Sequence, residues 1–215
     1  MPVEVKICGL TREADVDAAI QAGADMVGFV FFPPSPRSVD IARAAELAAR
    51  VPAGVLKVAL SVDADDALLA EITETVGADM MQLHGHETPE RAQAIRAMFG
   101  LPVMKAMAIA AREDVVRARA YEPAVDRLMF DAKPPADATR PGGNALAFDW
   151  QLIAGETWSK PWVLAGGLTP ENVTEAVRVS GAVSVDVSTG VEDAPGIKNA
   201  DKIQRFITAA RAETG

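Results

Sequence analysis

Three times in this chain an alanine-rich run stops at a glycine and passes straight into the next strand-like stretch. The joints are Ala22-Gly23-Ala24-Asp25, Val76-Gly77-Ala78-Asp79 and Ser180-Gly181-Ala182-Val183. A glycine after a helix supplies the left-handed residue that ends it. Joints this short, repeated, belong to chains in which helices and parallel strands alternate. This recurrence restricts the fold more than any composition figure does.

Strand-like runs occupy 3–8, 26–31, 55–62, 80–84, 103–107, 127–131, 162–165 and 183–187. Between them lie helix-like segments at 13–22, 41–51, 64–76, 89–99, 113–121, 170–179 and 198–212, with a shorter one at 148–154. Eight such units without a linker or a shift in composition predict an α/β fold, a single (β/α)8 TIM barrel over residues 1–215, at the short end for that architecture. An open doubly wound sheet would have fewer strands and a G-x-G-x-x-G turn near its start, and the chain has no such turn. Thr11, Thr88-Pro89 and Thr169-Pro170 read as helix starts, the prolines at the first helical position.

Charge then limits the partners. A net charge of −9 over 215 residues argues against nucleic acid and against anionic membrane surfaces. No apolar run reaches membrane-spanning length and no signal peptide is legible at the start, so a cytoplasmic protein is expected. With one cysteine there is no internal disulfide. A chain this acidic that binds an anion needs backbone amides or a local cation to do so.

Alternation along a strand says which side chains face the barrel interior. If Cys8 points inward, so do Lys6 and Glu4, while Val3, Val5 and Ile7 face the helices. Gln82 and His84 share a face, as do Ser184, Asp186 and Ser188. Purely structural barrels fill this space with branched apolar residues, so a lumen topped by Cys8, His84, Asp131 and Asp186 is a candidate site. Cys8 ends the first strand; it is a buried small hydrophobe or a base or nucleophile. Lys6 and the amides of the 9–11 turn are available to lower its pKa, which places a falling limb of activity below neutral pH. Asp131 closes the apolar run Leu128-Met129-Phe130 and is a candidate proton donor, or equally a cap or the partner of Lys133.

Glycine turns follow late strands at Pro141-Gly142-Gly143-Asn144, Ala165-Gly166-Gly167 and Ser188-Thr189-Gly190. Barrels frequently hold phosphate after strands seven and eight, on backbone amides, which would seat a dianion without many lysines. Phe31-Phe32-Pro33-Pro34-Ser35-Pro36-Arg37 is a stiff loop after the second strand that delivers Arg37, suited to a planar carboxylate or simply a surface charge. His84 fits a hydrogen-bonding role in the pocket and His86 an exposed position; two histidines make a poor zinc site.

These residues fall into a recognisable order. Lys-Ile-Cys-Gly-Leu-Thr (6–11), Ala-Asp-Met-Val-Gly-Phe-Val-Phe (24–31), Ser-Pro-Arg-Ser-Val (35–39) and Gln-Leu-His-Gly (82–85) resemble the phosphoribosylanthranilate isomerase family of tryptophan biosynthesis. So do Phe-Asp-Trp (148–150), Leu-Ala-Gly-Gly-Leu-Thr-Pro-Glu-Asn-Val (164–173), Val-Asp-Val-Ser-Thr-Gly-Val-Glu (185–192) and Gly-Ile-Lys (196–198). The resemblance implies a barrel catalysing the Amadori rearrangement of N-(5-phosphoribosyl)anthranilate, without metal or organic cofactor, as a monomer or homodimer. It implies Cys8 as general base and Asp131 as general acid. It puts Arg37 near the anthranilate, Asp186 at its amino group, and Gly142, Gly143, Gly166, Gly167, Ser188, Thr189 and Gly190 around a phosphorylated small-molecule substrate. Two departures stand out. Gly142-Gly143-Asn144-Ala145 replaces the usual Gly-Gly-Thr-Gly, which bears on closure of the sixth loop, and Thr189 replaces a common serine while keeping the hydroxyl.

Two other readings compete. The isomerase of histidine biosynthesis is a similar phosphate-binding barrel, but its first-strand base is an aspartate, where this chain has Cys8. A non-catalytic barrel could keep the phosphate cradle, but it would have no need of an acid and a base together.

Overall fold

A computed structural model describes residues 2–133, 141–143 and 147–212. Eight parallel strands close into a barrel in sequence order: β1 (Glu4–Cys8), β2 (Met26–Phe31), β3 (Leu56–Ser61), β4 (Met80–Leu83), β5 (Val103–Ile109), β6 (Arg127–Ala132), β7 (Trp162–Leu164) and β8 (Ser184–Val187). The closing seam pairs Glu4 to Ile7 of β1 with Ser184 to Val187 of β8. Among the described residues seven α-helices surround the sheet: α1 (Glu13–Gln21), α2 (Ile41–Ala48), α3 (Asp66–Glu71), α4 (Pro89–Phe99), α5 (Arg112–Ala118), α6 (Val173–Ser180) and α7 (Ala200–Arg211). Between β6 and β7 the described residues hold only a single 3-10 turn, Trp150–Leu152. No helix among the described residues is long and apolar enough to cross a membrane.

The recurrent joint has a specific job. All three of its glycines, Gly23, Gly77 and Gly181, have positive φ. Where the joint ends in aspartate, the carboxylate caps the second amide of the preceding strand: Asp25 accepts from the Val5 N–H at 2.7 Å and Asp79 from the Lys57 N–H at 2.8 Å. Asp126, ending a joint without the glycine, caps the first amide of β5, that of Val103, at 3.0 Å. At the seam, Val183 replaces the acid and the Glu4 N–H donates instead to its carbonyl at 2.9 Å. Strand ends that would lack a ladder partner are satisfied in each case.

Alternation sorts the two cores as expected. Val5, Ile7, Val27, Phe29, Leu83 and Val185 pack outward against the helices. Inside, the lower lumen is filled by Met26, Val58, Met80, Met104, Met129 and Val163, unbranched methionines adapting to the taper. Phe130, fully buried beside Asp131, lies 4.8 Å from the Trp158 ring and 5.5 Å from Trp162. It locks the end of β6 in place.

Three expected boundaries are corrected. Thr11 does not cap α1; the cap position is Arg12, and Thr11 Oγ1 donates to the Gly196 carbonyl at 2.9 Å. Pro170 does not open α6, because Asn172 Oδ1 accepts from the Thr169 N–H and its Nδ2 donates to the Gly167 carbonyl, folding 169–172 into a turn. Lys198 is not helical either. After β8 and a 3-10 turn (Thr189–Val191), strands β9 (Glu192–Ala194) and β10 (Ile197–Lys198) form a small antiparallel hairpin before α7. Thr88 does cap α4, accepting from the Arg91 N–H with Pro89 next.

Candidate active site

Above the methionine layer the lumen turns polar and opens at the carboxyl ends of the strands. Two adjoining cavities lie there. One is walled by Val30, Phe32, Leu60 and Val62 and reaches Cys8, Arg37, Gln82 and His84. The other is walled by the turns at Gly166-Gly167-Leu168 and Ser188-Thr189-Gly190. Asp131, Gly142, Gly143, Asp186 and Ser188 line both. Each residue to which the sequence assigned a catalytic or substrate-binding role therefore lines one or both of these cavities, one side apolar and the other backbone. Asn144 and Ala145, the departures in the sixth loop, lie outside the described residues.

Cys8 is buried at the tip of β1. Below it Lys6, with no exposed surface, donates from Nζ to Asp186 Oδ1 at 2.8 Å. Burial alone would discharge this lysine, but Asp186 and Cys8 more than offset it and hold its pKa above the ordinary value. The thiol is the correction: burial pushes Cys8 up, and although Lys6 pulls down, Asp186 adds to the rise, so the net shift is upward. The expectation of a lysine-lowered thiol fails because desolvation in a closed lumen outweighs one ammonium that is already shared with a carboxylate.

Across the cavity Asp131 Oδ1 accepts from the Ala132 N–H at 2.8 Å, and Oδ2 lies 3.2 Å from His84 Nε2. The Gln82 amide nitrogen is 3.0 Å from His84 Nδ1. With that amide donating, His84 carries its proton on Nε2, placed to donate to Asp131 whenever that group is a carboxylate. His84 and the Ala132 amide, rather than Lys133, are its partners. Gly142 passes so close that a Cβ there would stand 2.7 Å from His84 Nε2 and 2.9 Å from Asp131 Oδ2, and any larger residue would push these two groups apart. His86, as expected, is exposed.

Arg37 is buried, not a surface charge. Its Nε and Nη2 fork onto Glu192 Oε1 and Oε2, both at 2.7 Å, and Nη2 also meets Thr189 Oγ1 at 3.2 Å. Thr189 in turn donates to the Gly143 carbonyl at 3.1 Å. Glu192 also accepts from Lys198 Nζ at 2.8 Å. Glu192 and Lys198 were quoted in the sequence motifs without a role. Their spacing from Arg37 gives no local signal, since the partners lie on opposite sides of the chain's length.

Comparison with known proteins agrees with this geometry. The family model described as N-(5'phosphoribosyl)anthranilate (PRA) isomerase matches residues 5–209. The N-(5'-phosphoribosyl)anthranilate isomerase of Paramagnetospirillum magneticum is 60% identical over 98% of both chains. The crystal structure of phosphoribosyl anthranilate isomerase from Thermotoga maritima superposes with a TM-score of 0.88 at 35% identity, covering 98% of this chain and 99% of that one. A structure of the isomerase in complex with reduced 1-(o-carboxyphenylamino)-1-deoxyribulose 5-phosphate gives 0.83 at 32% identity, with the same coverage.

Proposed function

This chain belongs to the N-(5'-phosphoribosyl)anthranilate isomerase family, and from that premise we propose how its own residues divide the reaction. The protein is the isomerase that rearranges N-(5-phosphoribosyl)anthranilate to 1-(2-carboxyphenylamino)-1-deoxyribulose 5-phosphate in tryptophan biosynthesis, an internal aldose-to-ketose redox change. The reaction needs a proton delivered to the furanose ring oxygen and another removed from C2. One observation carries the assignment: Asp131 and Cys8 open from different strands onto one cavity with an apolar wall on one side and glycine turns on the other.

Asp131 gives its proton to the ring oxygen, the C1–O bond breaks, and the nitrogen lone pair forms an iminium. The Asp131 carboxylate so produced is stabilised by the His84 and Ala132 donors already in place. Cys8, as thiolate, takes the C2 proton; the C–H pair becomes the enolamine double bond and neutralises the iminium. Tautomerisation yields the ketone. The iminium is a positive charge formed in the same low-dielectric cavity, and it draws the buried thiol toward its thiolate.

The remaining groups bind. The turns at 166–167 and 188–190, with the 3-10 turn at Thr189–Val191 starting beside them, supply amides for the phosphate. The Val30, Phe32, Leu60 and Val62 wall takes the aromatic ring. Arg37 offers Nη1 to the ring carboxylate, and Asp186, with Oδ1 on Lys6, offers its other oxygen to the bridging amine. The lone thiol is free, in keeping with a cytoplasmic enzyme.

The test is the decay of substrate fluorescence with wild type, Cys8→Ala and Asp131→Asn. Loss of an acid or base costs about 10²–10⁴-fold in kcat with KM little changed. Equal losses in kcat and affinity for Asp131→Asn would reassign it to binding, and unimpaired decay with Cys8→Ala would remove it as base.

A further inference from the structure

The hairpin β9–β10 belongs to no part of the basic barrel, yet it puts two charges under the site. Its register shifts between Ile197 and Lys198; Ile197 is 43% exposed, while the Lys198 side chain has no exposure at all. All three Lys198 protons are engaged: by the Ser188 carbonyl at 3.0 Å, Ser188 Oγ at 3.2 Å and Glu192 Oε1 at 2.8 Å. Ser188 Oγ donates on to the Cys8 carbonyl at 3.0 Å. Burial draws the Lys198 ammonium below the ordinary lysine value, while its neighbours Arg37 and Lys198 hold the Glu192 carboxyl below its own despite burial.

Two consequences follow for Arg37. The first is geometric. Glu192 occupies the Nε and Nη2 edge, so Nη1 is the guanidinium nitrogen outside these bonds, and the side chain can turn no other donor toward the cavity. Its stem lies across Gly9, where a Cβ would come within 2.5 Å of Arg37 Cδ; Gly9 has φ +76°. The second is electrical. A guanidinium forked onto a carboxylate is neutral as a pair and a poor receptor for another carboxylate. Lys198 adds a second cation to the same carboxylate and returns the group to one net positive charge.

We propose that Glu192 and Lys198 are positioning residues that fix Arg37 with one edge presented and one net positive charge, and so set the preference for an aminosugar phosphate whose aromatic substituent bears a carboxylate. The inference rests on the reading of Arg37 as the carboxylate's partner. It extends the site to the hairpin, none of whose residues lines either cavity.

The experiment compares calorimetric dissociation constants of two ligands, the reduced product analogue and its aniline counterpart lacking the ring carboxylate. Proteins are wild type, Arg37→Met, Glu192→Gln, Lys198→Met and the double variant Arg37→Met/Glu192→Gln, each checked by thermal melting. Glu192→Asp, which keeps the charge but withdraws it by one methylene, stands in if Glu192→Gln does not fold. Loss of Arg37 or Lys198 should each weaken the carboxylate ligand at least about tenfold, the scale of a charge-assisted hydrogen bond; Glu192→Gln should do the same, because the lost orientation of the guanidinium outweighs the positive charge it unmasks, and the aniline ligand should stay within about threefold throughout. The double variant should be no weaker than Arg37→Met alone. Equal weakening of both ligands by Glu192→Gln and Lys198→Met, or additive losses in the double variant, would overturn the proposal. If Arg37→Met keeps the preference for the carboxylate ligand, the reading of Arg37 itself falls, a result separable from the first.

Discussion

Two lysine–glutamate pairs are buried in this barrel at the same 2.8 Å separation, Lys105 with Glu87 and Lys198 with Glu192. Beyond that length they share little. Lys105 spends its remaining bonds on the carbonyls of Gly85 at 2.6 Å and Leu83 at 3.4 Å. Glu87 accepts from the Asp63 and Gly85 amides at 2.9 and 3.0 Å. That pair is closed on backbone and staples the loops after β3 and β4 to β5. The other pair is open: its further partners are the Arg37 guanidinium and the Ser188 hydroxyl, both bordering the cavity. A buried ion pair is weak evidence of purpose in itself. The third partner separates a staple from a part of the site.

The comparison can be broken first by stability, where it predicts no difference. Glu87→Ala and Glu192→Ala each strand a buried cation and should each cost about 3–5 kcal/mol in urea unfolding. A large cost at one and none at the other would end the equivalence. Kinetics should then divide the pairs. Lys198→Met is expected to lower kcat/KM about tenfold through KM, whereas Lys105→Met should change it by less than about threefold. A third pair of the same length, Lys6–Asp186, sharpens the contrast through pH. With the Cys8 thiol pushed upward, kcat/KM should keep rising with pH beyond the ordinary thiol value of about 8.5. The iminium in the bound state should set the limb in kcat lower; coincident limbs would deny it that role. The smallest effect is on acid stability. Because Glu192 titrates below its ordinary value when folded, its contribution is complete above about pH 4.3 and is lost as pH falls through the folded value. The unfolding free energies of wild type and Glu192→Gln should therefore draw together progressively as pH falls below about 4.3, measured by urea midpoints.

What was legible in the sequence was what local pattern determines. Alternation placed every strand of the barrel to within a residue or two, since a one-residue error would turn Val5 and Ile7 into the lumen. That the candidate site residues lie together was legible for the same reason: strand ends converge once the barrel closes. Where reading failed, one signal served two structures. Thr11 and Pro170 suit a helix start and a turn alike, and only the distant Gly196 carbonyl and the Asn172 side chain decided between them. A two-residue strand such as β10 has no period to detect. The rise of the Cys8 pKa was hidden because Lys6 is two residues away in sequence, while the burial that outweighs it is created by the whole sheet.

The seam between β1 and β8 carries one last implication, concerning time. Cys8 and Lys6 are made well before Asp186, Glu192 and Lys198. Until β8 docks, Lys6 has no counter-ion, Arg37 has no carboxylate to grip, and no cavity exists. A truncated or stalled chain thus carries a thiol without the means to use it. Turnover on this reading waits until synthesis has passed the β9–β10 hairpin, so activity reports a chain extended at least that far.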